Sequence, residues 1–246
     1  MLIKDRAICI RTVDYSETSQ IITLFTRDHG KVSAIAKGSK RAKSKSFDGP
    51  LEVLSVGRVM FTESASKESL TTLAEFEQAT GFTTLSNNYY AMNCVLFAAE
   101  LINDFTDEYD PHPELFDILE KFVQHISLAN EDRQRLGLLI WFQLKLLDET
   151  GLKPSFDYCG NCRKPLSTDW QDAYFSSDKS SLICGDCEKT FPDRLTIGTE
   201  AIFCLAAPSA IRQASQETLC QTEKLLLHHI RQTIGKQPRM AKHILP

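Results

Sequence analysis

Long apolar runs are missing from this sequence. Nowhere do 18 apolar residues follow one another without interruption, so no membrane-spanning helix is expected. The opening residues, Met1-Leu2-Ile3-Lys4-Asp5-Arg6, carry charges where a secretory signal needs an apolar core. There is no Gly-x-x-x-x-Gly-Lys-Ser/Thr phosphate loop and no Gly-x-Ser-x-Gly nucleophile elbow. Internal repeats and low-complexity tracts are absent too. Acidic residues are missing from two places, between Asp28 and Asp48 and after Glu223. A reducing cytoplasm fits these absences.

What is present is a globular composition. The chain has 246 residues, 42% hydrophobic and 24% charged, enough for one or two domains and a small module. The net charge of −4 conceals a polarised distribution. Residues 1–60 carry 11 Lys+Arg against 6 Asp+Glu, and the remaining 186 carry 17 against 26. A basic N-terminal unit on an acidic body directs polyanions to one end.

Four of the eight cysteines form two Cys-x-x-Cys pairs, Cys159/Cys162 and Cys184/Cys187, with 21 residues between them. That arrangement suits a tetrahedral Zn²⁺ ion held by four thiolates at about 2.3 Å. Gly160 and Gly185 occupy the same place in each pair, where a small residue helps the chain turn. Ala173–Phe175 and Leu182–Cys184 flank a polar Ser/Asp/Lys stretch and predict a short hairpin between the knuckles. Disulfides would need an oxidising compartment. A redox pair should follow a strand in a βαβ unit, which duplicated pairs do not. With every position taken by a thiolate, such a metal is structural, not catalytic. Cys9, Cys94, Cys204 and Cys220 are isolated and read as buried thiols.

The pattern before residue 80 is β. Ile8, Ile10 and Thr12 alternate, Ile21–Phe25 follow, His29-Gly30 turns, and Val32, Ala34 and Ala36 alternate again. Leu51–Phe61 and Ser69–Phe76 supply two more strands. Five strands in this space predict a small closed barrel of OB type, with an SH3-like barrel as the alternative. From about Thr83 the period becomes helical, with one face through Met92–Ile102 and another through Leu115–Ile126. Glu131–Thr150 is apolar on all sides and should be a central helix, stopped at Gly151. Helices near Thr199–Ala206 and Ser215–Ile234 close the chain. The expected fold is therefore α+β and multidomain: barrel at 1–80, helical domain at 81–154 and 193–246, and the four-cysteine module inserted at 155–192.

The densest charge cluster, residues 37–46, holds Lys37, Lys40, Arg41, Lys43 and Lys45 with no acid. Lysines and arginines on a loop between strands can neutralise phosphates without reading sequence. A charge run of this kind can equally be an idle solvated loop; a barrel of OB size shifts the balance to nucleic acid. Phe25, Phe47 and Phe61 are available for base stacking, although each also suits the core. The tail residues Lys236, Arg239 and Lys242 could extend the basic surface or complement the last helix dipole. Asp104, Asp107, Glu108 and Asp110 read as a solvated acidic connector, and His228-His229 as surface residues. His112-Pro113-Glu114 followed by Cys159-x-x-Cys162 imitates a zinc deaminase signature, but Tyr158 stands where proline belongs.

Taken in order, these pieces resemble the RecO family of bacterial recombination mediators. The residues that carry the likeness are Ser16-Glu17-Thr18-Ser19, Leu24-Phe25-Thr26, His29-Gly30-Lys31-Val32, Ala36 to Arg41 and Gly49-Pro50-Leu51. Gly151-x-x-Pro154 before the first cysteine pair and Gly235-Lys236-Gln237-Pro238-Arg239-x-x-Lys242 extend it through the chain. The closing stretch departs from the family's usual Pro-hydrophobic-Lys-Ser-Arg ending. The resemblance implies an OB barrel, a helical domain and a zinc module. It also implies a cytoplasmic, nucleoid-associated protein that binds single- and double-stranded DNA and anneals complementary strands. Its implied partners are RecR, the acidic C-terminal tail of single-stranded-DNA-binding protein and, indirectly, RecA. By motif, Lys37 and Arg41 lead the implied DNA contacts, with Lys31, Lys40, Lys43 and Lys45 in support. The rival class is a zinc-ribbon interaction or transcription-associated protein whose barrel binds protein.

Overall fold

The computed structural model describes residues 1–41, 46–62, 70–79, 88–167, 170 and 173–245. Five strands come first: β1 Leu2–Asp14, β2 Gln20–Thr26, β3 Gly30–Ala36, β4 Val56–Thr62 and β5 Thr71–Gln78. They close into a barrel of order β1-β2-β3-β5-β4, in which β3 meets β5 in parallel and every other pairing is antiparallel. This is the OB-type barrel expected. Alternation decides what fills it: Ala7, Cys9, Ile22, Leu24, Val32, Ala34, Ala36, Val59, Phe61, Leu73 and Phe76 form the interior. The strand expected to start at Leu51 begins only at Val56. Leu54 adopts a left-handed backbone at φ 74°, and the Gln20 side chain occupies both backbone groups of Leu51. The side chain thus stands in for a strand partner at Leu51, while Leu54 and Ser55 bond to the Cys9 backbone.

Helices α1 (Tyr89–Phe105) and α2 (Pro113–Leu128) follow. Asn88 caps α1 by accepting from the Ala91 N–H at 2.7 Å. Proline at its first position starts α2, which turns Leu115, Phe116, Leu119, Phe122, Val123 and Ile126 inward. The contacts of the chain divide it into two compact units, Met1–Leu128 and Ala129–Pro246, so α1 and α2 share a unit with the barrel. The 80/81 boundary read from the sequence lies outside the described residues.

Within the first unit the helix pair covers one end of the outer β1–β2–β3 face. Phe25 points outward from β2 and meets the Phe116 ring at 6.0 Å. Arg27 grips Asp117 with Nε and Nη2, both at 3.0 Å, and this pairing pulls the Asp117 carboxyl below its ordinary range. Arg6 pairs with Glu120. The connector between the helices lies along β3: the Tyr109 N–H donates to the Lys31 carbonyl, and Ser33 Oγ donates to Glu108. At this crossing Gly30 has φ 70°, and a Cβ there would overlap the Asp110 backbone.

The second unit contains α3 (Asp132–Glu149), a four-stranded sheet, α4 (Thr199–Ala206) and α5 (Gln216–Ile234). The sheet has the order β6-β8-β7-β9, from β6 Ser155–Cys159, β7 Ala173–Ser176, β8 Ser181–Cys184 and β9 Leu195–Ile197. The expected hairpin is β7–β8; the short outer strands were not legible beforehand. α3 packs on α5, as its all-round apolar sequence requires. Ser215 caps α5 at its start, and Gly235 at φ 70° ends it.

Two buried polar groups mark this core. Glu223 on α5 is fully buried and accepts from the Gln143 side chain at 2.7 Å. Burial raises its pKa to about 8, so the acid is largely neutral near pH 7. His229 corrects the surface reading made from sequence. It is buried, its ring stands edge-on to Phe175 at 5.7 Å, and its Nε2–H donates to the Leu152 carbonyl at 3.1 Å. Burial lowers its pKa and keeps it neutral.

Two outcomes follow for stability. Gly30→Ala should lower the stability of the first unit by about 2 kcal/mol or more, read as an earlier urea midpoint. For Glu223 the folded pKa lies above the unfolded one, so its contribution is complete below pH 4.5 and is lost as pH rises toward about 8. The wild-type melting temperature should therefore fall between pH 5 and 8 more steeply than that of Glu223→Gln. Parallel curves would show that burial does not raise the Glu223 pKa in the folded protein.

Candidate metal centre and nucleic-acid interface

The two cysteine pairs meet at one point in the second unit. Cys159 ends β6 and Cys184 ends β8, neighbouring strands of the sheet, so each pair continues from a fixed strand end. The first knuckle closes with the Arg163 N–H on the Cys159 carbonyl at 2.9 Å, and Arg163 takes a left-handed φ of 64°. The second closes with the Cys187 N–H on the Cys184 carbonyl at 3.0 Å. Gly160 is required for a reason the sequence did not show. A Cβ there would come within 2.7 Å of the Ser181 side chain, on the strand that carries the other knuckle.

The four Sγ atoms lie within 4.8 Å of one another, and Cys162 and Cys184 are 3.7 Å apart. A tetrahedron with metal–sulfur bonds of about 2.3 Å has edges of roughly 3.8 Å, so the quartet fits a thiolate-bound ion. None of the four is in a disulfide. Donors face the sulfurs as well: the Cys184 N–H reaches Cys159 Sγ at 3.4 Å, and Asn161 Nδ2 reaches Cys187 Sγ at 3.3 Å. Burial opposes ionisation of Cys159, but backbone N–H groups of Cys162, Cys184 and Asn161 together outweigh it and bring the thiol to about 7. Burial pushes Cys184 up to about 12. Metal binding must therefore displace protons from this site. Asn161 is a second-layer donor that spacing alone did not reveal.

The basic cluster lies at the end of β3 in the first unit. Gly38, at φ 76°, turns the chain after Lys37, and the Arg41 N–H closes the turn on the Gly38 carbonyl at 3.1 Å. Ser39 is buried beneath and donates to Gln20 Oε1 at 3.0 Å. Ser19 ties this turn to the one joining β1 and β2. Its Oγ accepts from the Gly38 N–H at 3.2 Å, and its carbonyl accepts from the Tyr15 N–H at 3.0 Å. The Lys40 N–H adds a bond to the Thr18 carbonyl at 3.1 Å, and Lys40 Nζ reaches Asp14 at 2.8 Å. Lys37 and Arg41 are exposed and face no carboxylate within ion-pair distance among the described residues.

Lys31 stands apart from this cluster. It is only 9% exposed, and its ammonium donates to the carbonyls of Asn103 at 2.7 Å and Thr106 at 2.5 Å, at the C-terminal end of α1. Burial lowers its pKa despite the nearby carboxylates of Glu108, Asp107 and Asp104. The structure thus uses it to cap a helix, not to face solvent. Lys43 and Lys45 lie outside the described residues. Lys236, Arg239 and Lys242 are exposed around the 3₁₀ turn that follows α5, in the second unit. Phe25, Phe47 and Phe61 are all buried and cannot serve as stacking platforms.

Comparison with known proteins adds the family. The model of the Recombination protein O N-terminal domain matches residues 1–82, and that of the C-terminal domain matches residues 86–243. The chain belongs to the RecO family. A relative from Halalkalibacterium halodurans, named DNA repair protein RecO, is 33% identical over 192 residues, 78% of this chain and 71% of its own. The protein of the same name from Anaeromyxobacter dehalogenans strain 2CP-C is 30% identical over 219 residues, 88% of this chain and 84% of its own. A third RecO relative, from Bacillus pumilus, is 29% identical over 201 residues, 82% of this chain and 74% of its own. The RecO N-terminal match contains the basic turn, and the C-terminal match contains the cysteine quartet. Among the described residues no helix is long and apolar enough to cross a membrane.

Native mass spectrometry of the reduced protein should show one metal ion per chain, absent from a Cys159→Ser/Cys184→Ser variant. Chelation should speed hydrogen exchange in Cys159–Cys187 while the barrel strands stay protected. Unchanged exchange with the metal removed would show that the knuckles hold without it.

Proposed function

We propose that this chain is a DNA-binding recombination mediator in DNA repair. In this reading it binds single- and double-stranded DNA through the barrel and anneals complementary strands. With RecR it helps load RecA on strands coated with single-stranded-DNA-binding protein, whose acidic C-terminal tail it engages. The observation that carries the reading is the basic turn of Lys37, Lys40 and Arg41, anchored through Ser19 and Gln20 on an OB-type barrel. Membership of a family whose relatives are named DNA repair proteins supports it.

The chemistry asked of the protein is electrostatic, and no bond is made or broken. Two strands approaching to pair repel through their phosphates. Cations on a fixed turn replace condensed counterions and lower that repulsion, so pairing becomes faster. Lys37 and Arg41 are the leading contacts, Lys40 supports them at the cost of its bond to Asp14, and Lys236, Arg239 and Lys242 form a second candidate surface. Lys31 has no part in the contact, because its ammonium is committed to the end of α1. The ion in the cysteine quartet is Zn²⁺ in a structural role: four sulfur ligands suit it, and no coordination position is left for a substrate. The protein works in the cytoplasm, at the nucleoid.

The test is binding to labelled single-stranded DNA across a salt series, for wild type and Lys37→Glu/Arg41→Glu. The wild type should bind with a steep negative slope of log K against log salt. The variant should lose at least about tenfold in affinity and roughly 1.4 from the slope, the share of two phosphate contacts on a single strand. Equal binding by both would move the contact away from this turn. No binding by either would favour a barrel that binds protein.

A further inference from the structure

The outer face of β1–β2–β3 is covered at one end and open at the other. At the covered end Phe25 meets Phe116, Lys31 meets the α1 carbonyls, and Ser33 holds Glu108. At the open end the antiparallel registers place Val13 opposite Ile21 and Ile21 opposite Ile35. Their neighbours Ile22, Ala34 and Ala36 point into the barrel, so Val13, Ile21 and Ile35 form an outward apolar row three strands wide. Val13 is 44% exposed, and Ile21 and Ile35 are half-buried. Two residues beyond Val13, Tyr15 is 62% exposed. Its ring is free, but its backbone is fixed by the bond to the Ser19 carbonyl.

The surroundings of this strip decide what it suits. Arg11 lies on β1 on the outward side with Val13, opposite Thr23. Lys37, Lys40 and Arg41 rise from the end of β3, and the Ser19 bridge holds their turn against the turn that carries Tyr15. The carboxylates nearest in sequence are Asp14, taken by Lys40, and Glu17 on the β1–β2 turn. An apolar floor with an aromatic end and a cationic rim is complementary to a chain that carries flat apolar rings on an anionic backbone. A duplex hides its base faces in the stack and offers only phosphates; a single strand offers both.

We propose that Tyr15, with the Val13–Ile21–Ile35 row, is a base-stacking floor that binds single-stranded nucleic acid while the neighbouring cations hold its phosphates. This rests on the nucleic-acid reading above and assigns to the site a preference that charge alone does not give. Tyr15 supplies the aromatic surface that the buried phenylalanines cannot.

The test separates bases from phosphates. Wild type, Tyr15→Ala, Tyr15→Phe and Lys37→Glu/Arg41→Glu are titrated against a labelled oligo-dT and an abasic oligonucleotide of equal length, in one buffer. Wild type should prefer oligo-dT. Tyr15→Ala should lose about tenfold on oligo-dT and little on the abasic strand, with an unchanged salt slope. Tyr15→Phe should bind as wild type does, and because residue 15 is exposed all variants should keep the wild-type circular dichroism spectrum. The charge-reversal variant should weaken on both strands alike. If Tyr15→Ala binds oligo-dT as wild type does while the charge reversal weakens it, the stacking floor is overturned and the phosphate contact stands. A loss of equal size on both strands also overturns it, by making Tyr15 a structural residue of the turn. A wild type that binds neither strand removes this proposal together with the reading it rests on, and leaves the strip as a surface for protein.

Discussion

The first unit depends on one buried ammonium. Lys31 projects from the outer side of β3 into the C-terminal end of α1 and supplies donors to carbonyls that the helix cannot satisfy itself. A charge enclosed this far from water is tolerable only with its hydrogen bonds made, and such bonds to a charged group contribute about 1.5–3 kcal/mol each. The position of α1 on the barrel is thereby constrained. The connector to α2 then has to cross Gly30, where no side chain would fit, and α2 is held by Arg27 and Arg6. The same arrangement leaves Val13, Ile21 and Ile35 uncovered beside the basic turn.

In the second unit a different device solves the problem of a small sheet. Strands of three to five residues have little apolar surface of their own to bury. The cysteine quartet joins the ends of β6 and β8, and Phe175 of β7 packs on Phe156 of β6 and on His229 of α5. The knuckles are thus fixed from the sulfur side by their ligand geometry and from the ring side by the helices of their own unit. N–H donors at two of the sulfurs reduce the cost of gathering negative charge at one point.

Features written locally were legible in the sequence. Both cysteine pairs, the alternation of β3 and the glycine that stops α3 each follow from residues within a few positions of one another. What escaped depends on partners distant along the chain. Lys31 reads as one more cation of a basic segment, because the carbonyl it caps lies 72 residues later. His229 reads as a surface residue until Phe175 arrives against it. The loop before β4 reads as strand because its apolar residues run on into Val56–Phe61, whereas the Gln20 amide has taken both backbone groups of Leu51. Tyr15 escaped for the opposite reason. A single aromatic in a turn has no periodic company, and only its exposure distinguishes it.

The seam that closes the barrel adds a kinetic dimension. Among the described residues, β3 and β5 share two register pairs, Ala34 with Thr71 and Ile35 with Thr72, whereas β2 and β3 share seven. The β1–β2–β3 meander is joined by short turns, so its loop-closure entropy is small and its pairing can form early. The seam joins segments more than thirty residues apart. A contact closed over that separation is expected to form after the meander, and Ile35 lies on it. An opening there would loosen one edge of the apolar row while Val13, on the strand farthest from the seam within the meander, and Tyr15, on the turn after it, remain in place.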